Sequence, residues 1–143
     1  MDKKELRAKL MQELWRMNKM NLMVSLREFV EGETAALWFM HSGTAQEVTP
    51  SQISEGLCVS RARTANILRS LRKKGYVAME ISSDDRRKML VSLTKEGERF
   101  LAEKYDFLSR YFDLYVEALG EEDIKELIRL LQKTVECKVL LKK

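Results

Sequence analysis

Residues 48–77, VTPSQISEGLCVSRARTANILRSLRKKGYV, followed after four residues by 82–97, SSDDRRKMLVSLTKEG, decide how this chain is read. Thr49-Pro50 is a helix start: a threonine that can cap, then a proline whose φ is already set and whose missing donor costs nothing at the first helical position. Ile53 and Leu57 lie four apart on one face. After Cys58-Val59, Ser60 is a second cap, and the helix it starts runs through Lys74 to a stop at Gly75, behind a basic last turn. Thr64, Ile67, Leu68 and Leu71 form its inward side; Arg61, Ala62, Arg63, Ala65, Asn66, Arg69 and Ser70 form its outward side. Tyr76–Ile81 and Lys88–Leu93 are rich in Val, Ile, Leu, Tyr and Met and flank a wholly polar six-residue tip, which predicts a two-stranded hairpin. Helix, turn, helix and hairpin together describe a winged helix-turn-helix.

The charge of the chain concentrates in the same stretch. From Thr49 to Leu93 nine basic residues stand against four acidic ones, while residues 1–48 carry seven of each and residues 94–143 carry ten basic and eleven acidic. A local basic surface of this kind is the electrostatic footprint of a phosphate-binding element. On the second helix, small Ala62 and Ala65 let the backbone approach a base edge. Arg63 is suited to a bidentate bond to guanine and Asn66 to one with adenine, each worth about 1–3 kcal/mol of discrimination. At the hairpin tip, Asp85 can hold the Arg87 fork in one orientation for entry into a narrow minor groove.

Working outward, apolar residues at Leu6, Leu10, Leu14, Met17 and Val24, with Asn21 as one polar member, predict one long first helix over Lys3–Val24. A shorter helix over Glu33–His41 follows the break at Glu31-Gly32. Beyond the hairpin, Thr94 caps a helix whose Leu101, Tyr105, Leu108, Phe112, Tyr115 and Leu119 form a heptad seam suited to packing on partner helices. Gly120 ends it, and Glu121-Glu122-Asp123 open a last helix with Ile124, Leu127, Leu131 and Val135 on its apolar face.

The 143 residues are 45% hydrophobic, with one proline and six glycines, enough for one compact domain or two small lobes. The chain has no uninterrupted apolar run of about 18 residues and a charged N-terminal segment, so a soluble, cytoplasmic protein is expected. Cys58 and Cys137 have neither disulfide nor metal spacing and are expected to be reduced. One histidine and two distant cysteines supply no metal site. No phosphate loop, nucleophile elbow or ligand cluster occurs, so no catalytic residue and no cofactor are assigned, and an enzyme is not expected.

The two quoted stretches resemble the multiple-antibiotic-resistance regulator (MarR) family of winged-helix transcription regulators. The wing pattern, Asp-x-Arg, an apolar strand, then Leu-Thr-x-x-Gly, falls on Asp85, Arg87, Leu93, Thr94 and Gly97. The resemblance implies a mainly α fold with a small β-hairpin and a winged helix-turn-helix over 33–97. It also implies an obligate homodimer through helices in 1–32 and 98–143. Carried over position by position, it places base reading on Ala62, Arg63 and Asn66, phosphate contact on Ser60, Arg61 and Ser70, and the wing contact on Arg87 supported by Asp85. The DNA implied is a pseudo-palindromic operator with half-sites about one turn apart, and the outcome implied is repression. Where many relatives have glycine in the helix-turn-helix turn, this chain has Cys58, which either adopts an unusual φ or sits in a turn built differently.

Regulators of this type respond to small molecules, often anionic phenolics, and the matching lining here is Trp15, Met17, Met20, Phe29, Trp38 and His41. The plain alternative is that these are core and dimer-interface side chains. Two further readings stand beside the DNA reader: a winged helix serving as a protein–protein interaction module, and a thiol-based redox sensor using Cys58, whose thiolate nearby arginines would favour.

Overall fold

The structure is a computed structural model that describes residues 1–141; the last two positions of the predicted 98–143 region lie outside the described residues. Helices α1 (Lys3–Met17), α2 (Asn21–Glu28), α3 (Gly32–Ser42), α4 (Pro50–Leu57) and α5 (Arg61–Lys73) precede a hairpin of β1 (Val77–Ile81) and β2 (Met89–Leu93). Then come α6 (Lys95–Leu119), α7 (Glu121–Glu136) and the short α8 (Lys138–Leu141). Residues 1–108 form one compact unit and the residues from Ser109 onward a second.

The core of the first unit lies among α3, α4, α5, α6 and the hairpin. Leu37, Ile53, Leu68, Leu71 and Val91 are its fully buried large side chains. The inward side read from sequence on α5 is the buried side: Thr64, Ile67, Leu68 and Leu71. The hairpin pairs antiparallel from Val77 opposite Leu93 to Ile81 opposite Met89. Val48, just before α4, adds an isolated bridge to Val91 through bonds of 3.0 and 2.7 Å in the two directions, tying the helix-turn-helix to the wing. Thr94 caps α6 by accepting from the Gly97 N–H at 3.0 Å and donating to the Gly75 carbonyl at 2.6 Å. A Cβ on Gly97 would run into the Tyr76 carbonyl, so the glycine of the Leu-Thr-x-x-Gly pattern is there for a close backbone approach.

The predicted single helix over Lys3–Val24 is two helices. The Lys19 and Met20 N–H groups bond three residues back, to Arg16 at 3.2 Å and Met17 at 3.0 Å, and Met20 turns extended (φ −72°, ψ 144°) before α2 begins. Asn18, a weak helix former, gives its side-chain oxygen to Arg27 instead. The apolar spacing runs through this break, so periodicity alone could not reveal it. Leu22 is buried, while Val24 is 48% exposed.

Outside the core, apolar residues line helices that have no buried residue. Leu6, Leu10 and Leu14 on α1 are each more than half exposed, as are Leu131 and Val135 on α7. On α6 the heptad seam divides: Leu101 and Leu108 are buried in the first unit, whereas Phe112 and Leu119 stay exposed in the second.

Candidate nucleic-acid interface

Two capped helices and one strained residue build the reading element. Thr49 and Gln52 form a reciprocal capping box on α4, with Pro50 in the first turn. The turn is closed by Cys58 in the left-handed conformation (φ 54°, ψ 44°), the first of the two geometries left open by its sequence. No other non-glycine described residue has positive φ. Ser60 then caps α5 by accepting from the Arg63 N–H at 3.1 Å. Between the helices, buried Ser54 Oγ donates to Thr64 Oγ1 at 2.8 Å, and the Thr64 hydroxyl donates on to the Ser60 carbonyl at 3.1 Å. Such a satisfied buried pair sets the angle between α4 and α5.

Ser60, Arg61, Ala62, Arg63, Ala65, Asn66 and Arg69 are exposed, and Ser70 is half-buried. Thus α5 brings the predicted base-reading and phosphate-contact residues together on one open face. Two features of that face were not read from the sequence. Arg69 Nη1 donates to Asn66 Oδ1 at 2.8 Å, which the three-residue spacing could have suggested. Glu33, at the start of α3, accepts from Ser70 Oγ at 2.8 Å and from Lys74 Nζ at 3.0 Å. No local signal connects residues 37 and 41 positions apart. Burial pushes the Glu33 carboxyl up, but the bonds from Ser70 and Lys74 more than reverse this and leave it below its ordinary value.

The wing tip is ordered by its own side chains. Ser82 Oγ accepts from the Asp84 and Asp85 N–H groups at 3.3 and 3.4 Å. Asp85 Oδ1 accepts from the Arg87 backbone N–H at 3.0 Å and from Arg87 Nε at 3.3 Å. These two bonds, the backbone one foremost, hold the Asp85 carboxyl below the usual carboxylate range. The carboxylate grips the guanidinium by its Nε edge, and the Arg87 side chain is 92% exposed. An arginine braced at its base and open at its tip is suited to a narrow groove.

The predicted effector lining is only partly assembled. Trp38 stacks on Tyr105 with centroids 5.4 Å apart and planes 6° from parallel, Phe29 meets both rings edge-on, and His41 lies 5.9 Å from Trp38. Tyr105, a member of the α6 seam, belongs to this cluster as well. Trp15 is 72% exposed and Met20 49% exposed, and with half-buried Met17 they stand outside the buried cluster. Among the described residues no group of three or more His, Cys, Asp or Glu side chains could hold a metal, both cysteines are unbridged, and no helix is long and apolar enough to cross a membrane.

A family model described as winged helix DNA-binding domain matches residues 33–112. An HTH-type transcriptional regulator of Bacillus cereus is 32% identical over 94 residues, which are 63% of this chain and 60% of the relative. The chain thus matches less than two thirds of the length of such curated relatives. Among solved structures, FabT of Streptococcus pneumoniae in complex with DNA aligns with a TM-score of 0.71 at 22% identity, over 99% of this chain and 100% of that one. A mutant MarR of E. coli aligns with a TM-score of 0.68 at 20% identity, over 90% and 95%. At these identities the two structures speak to the fold alone.

Proposed function

Because the chain belongs to the winged-helix DNA-binding domain family and has the fold of MarR, we propose that it is a sequence-specific transcription regulator of double-stranded DNA. The observation that carries this is the face of α5: every predicted base-facing side chain is exposed while the opposite side is buried, with the braced Arg87 on the wing beside it in sequence. In this reading Ala62, Arg63 and Asn66 meet base edges in the major groove, Ser60 and Arg61 meet phosphates, Ser70 meets one by turning its hydroxyl proton away from the Glu33 carboxylate that now accepts it, and Arg87 enters the flanking minor groove supported by Asp85. That FabT was solved in complex with DNA supports the same use of the fold.

The regulator acts as a homodimer, with residues 33–97 as the reading region and helices in 1–32 and 98–143 joining the subunits. The exposed apolar rows on α1 and α7 support this, since a solitary chain would leave them in water. Two subunits related by a twofold axis read a pseudo-palindromic operator. The regulator represses, and a small molecule in the aromatic crevice around Phe29, Trp38 and His41 relieves repression.

Selection of bound duplexes from random DNA at low ionic strength tests the proposal. A palindromic consensus with half-sites about one helical turn apart is expected, bound with a steep salt dependence. Failure to retain any duplex at low salt would overturn it and favour a protein–protein module.

A further inference from the structure

The first unit carries a crevice of about 370 Å³ between α3 and α6. Trp38 and His41 line it from α3; Glu98, Leu101, Tyr105 and Asp106 line it from α6. Its aromatic wall is rigid, because the parallel Trp38–Tyr105 stack is braced edge-on by buried Phe29. Yet the wall is not sealed in the core: Tyr105 is 47% exposed and Trp38 half-buried. Stacked rings reachable from solvent present π faces and edges to a flat guest.

The charges of this crevice have one sign. Glu98 and Asp106 lie two turns apart on one side of α6, which spaces them by about 12 Å along the axis. Among the described residues neither carboxylate is in an ion pair. No lysine or arginine lines the crevice. Lys104, on the same helix, is engaged elsewhere, 3.1 Å from Glu28 and over the Phe100 ring at 5.6 Å. An anion entering here would meet two carboxylates and no lysine or arginine, whereas a cation gains both the ring faces and the carboxylates.

We infer that this crevice binds a planar organic cation, and not the anionic phenolic that the family resemblance implies. The inference deepens the ligand response in the function proposed above and rests on that reading for its consequence, release of DNA.

Calorimetry on the full chain without DNA reads the site, using N-methylquinolinium as the probe and quinoline-2-carboxylate as its anionic counterpart. N-methylquinolinium should bind at least about tenfold more tightly than the carboxylate, and the Glu98→Gln/Asp106→Asn variant should lose about tenfold of that affinity. The Glu96→Gln/Glu103→Gln variant, with the same charge removed from exposed positions outside the lining, should stay within about twofold. All four positions are exposed, and circular dichroism checks that each variant is folded. The assignment is overturned if the carboxylate binds as well as the cation, if the cation does not bind at millimolar concentration, or if the control variant loses as much. Adding N-methylquinolinium to the complex with a selected duplex reads the response separately. Binding to the free protein with no release of DNA would uphold the crevice and overturn the ligand response; no binding to the free protein would overturn the crevice, whatever the DNA does.

Discussion

Arg69 Nη1 donates to Asn66 Oδ1 across 2.8 Å, one turn apart on the open face of α5. The bond fixes which way the asparagine amide faces while leaving a second lone pair on Oδ1 and both Nδ2 protons. Bidentate readout of adenine needs one acceptor and one donor, so the pairing orients the amide without exhausting it. Asn66→Ala should therefore erase the base preference at one operator position in each half-site, costing about 1–3 kcal/mol for the preferred base. Arg69→Ala should blur the same position less and weaken binding to all sequences. Selected-duplex profiles of the two variants check this; unchanged preference in Asn66→Ala would remove Asn66 from the reading surface.

The wing makes a different prediction, because Asp85 acts through Arg87. Arg87→Ala should lower affinity about tenfold or more, most for A·T-flanked sites, whose minor groove is narrow. Asp85→Asn should lower it less, since its effect is to hold the guanidinium ready. In the Arg87→Ala background, Asp85→Asn should add nothing. Fluorescence anisotropy on the four proteins of this cycle decides the matter, and additive losses would show that Asp85 has a contact of its own.

Glu33 supplies the pH dependence. Its folded carboxyl titrates below its ordinary value, so the stability it contributes is present above about pH 4.5 and is lost as pH falls through the lowered folded value. The partners are partly exposed, and solvent screening keeps the contribution within about 1 kcal/mol. Denaturant melts between pH 6 and 3 should converge for wild type and Glu33→Gln at the acid end and separate above it. Parallel curves across the range would contradict a depressed Glu33.

Cys58 is strained by its left-handed backbone. A side chain in that region costs about 1–2 kcal/mol, and glycine returns part of this as unfolded-chain entropy. Cys58→Gly should stabilise the protein by about 0.5–1 kcal/mol, and Cys58→Val should destabilise it. Thermal melts of both variants test the sign.

What could be read from the sequence was local. Caps at Thr49 and Ser60, the polar tip between two β-rich runs and the inward side of α5 (Thr64, Ile67, Leu68 and Leu71) each involve neighbours in the chain, and each stands in the structure at the stated residues. The break at Asn18–Met20 was hidden because Asn21 and Val24 continue the spacing of the first helix, although on the new helix axis Leu22 and not Val24 is the buried residue. The Glu33 link to Ser70 and Lys74, the Val48–Val91 bridge and the Trp38–Tyr105 stack join residues tens of positions apart. Only the folded chain brings them together. The open face of α5 was legible; the groups that orient it were not.

The seam of α6 gives the sharpest test of assembly, because its members differ in what they already contact. Leu108 is buried at 7% exposure within the first unit, so a charge there would cost folding and say nothing about subunits. Phe112 is 37% exposed and is the cleaner probe. In the proposed homodimer its ring is covered by helices of both subunits, and Phe112→Glu would bury a carboxylate with no partner, at a cost of several kcal/mol. Leu10→Glu on α1, where the wild-type leucine is 62% exposed, should act in the same direction. Light scattering should find both variants as monomers at concentrations where wild type is dimeric, with operator affinity falling as half of the bidentate grip is lost. Since neither side chain is in the core of the winged unit, circular dichroism should still report folded α3 to α5. A Phe112→Glu protein that stays dimeric and binds its operator as wild type does would show that the exposed face of α6 is not the surface on which two copies meet.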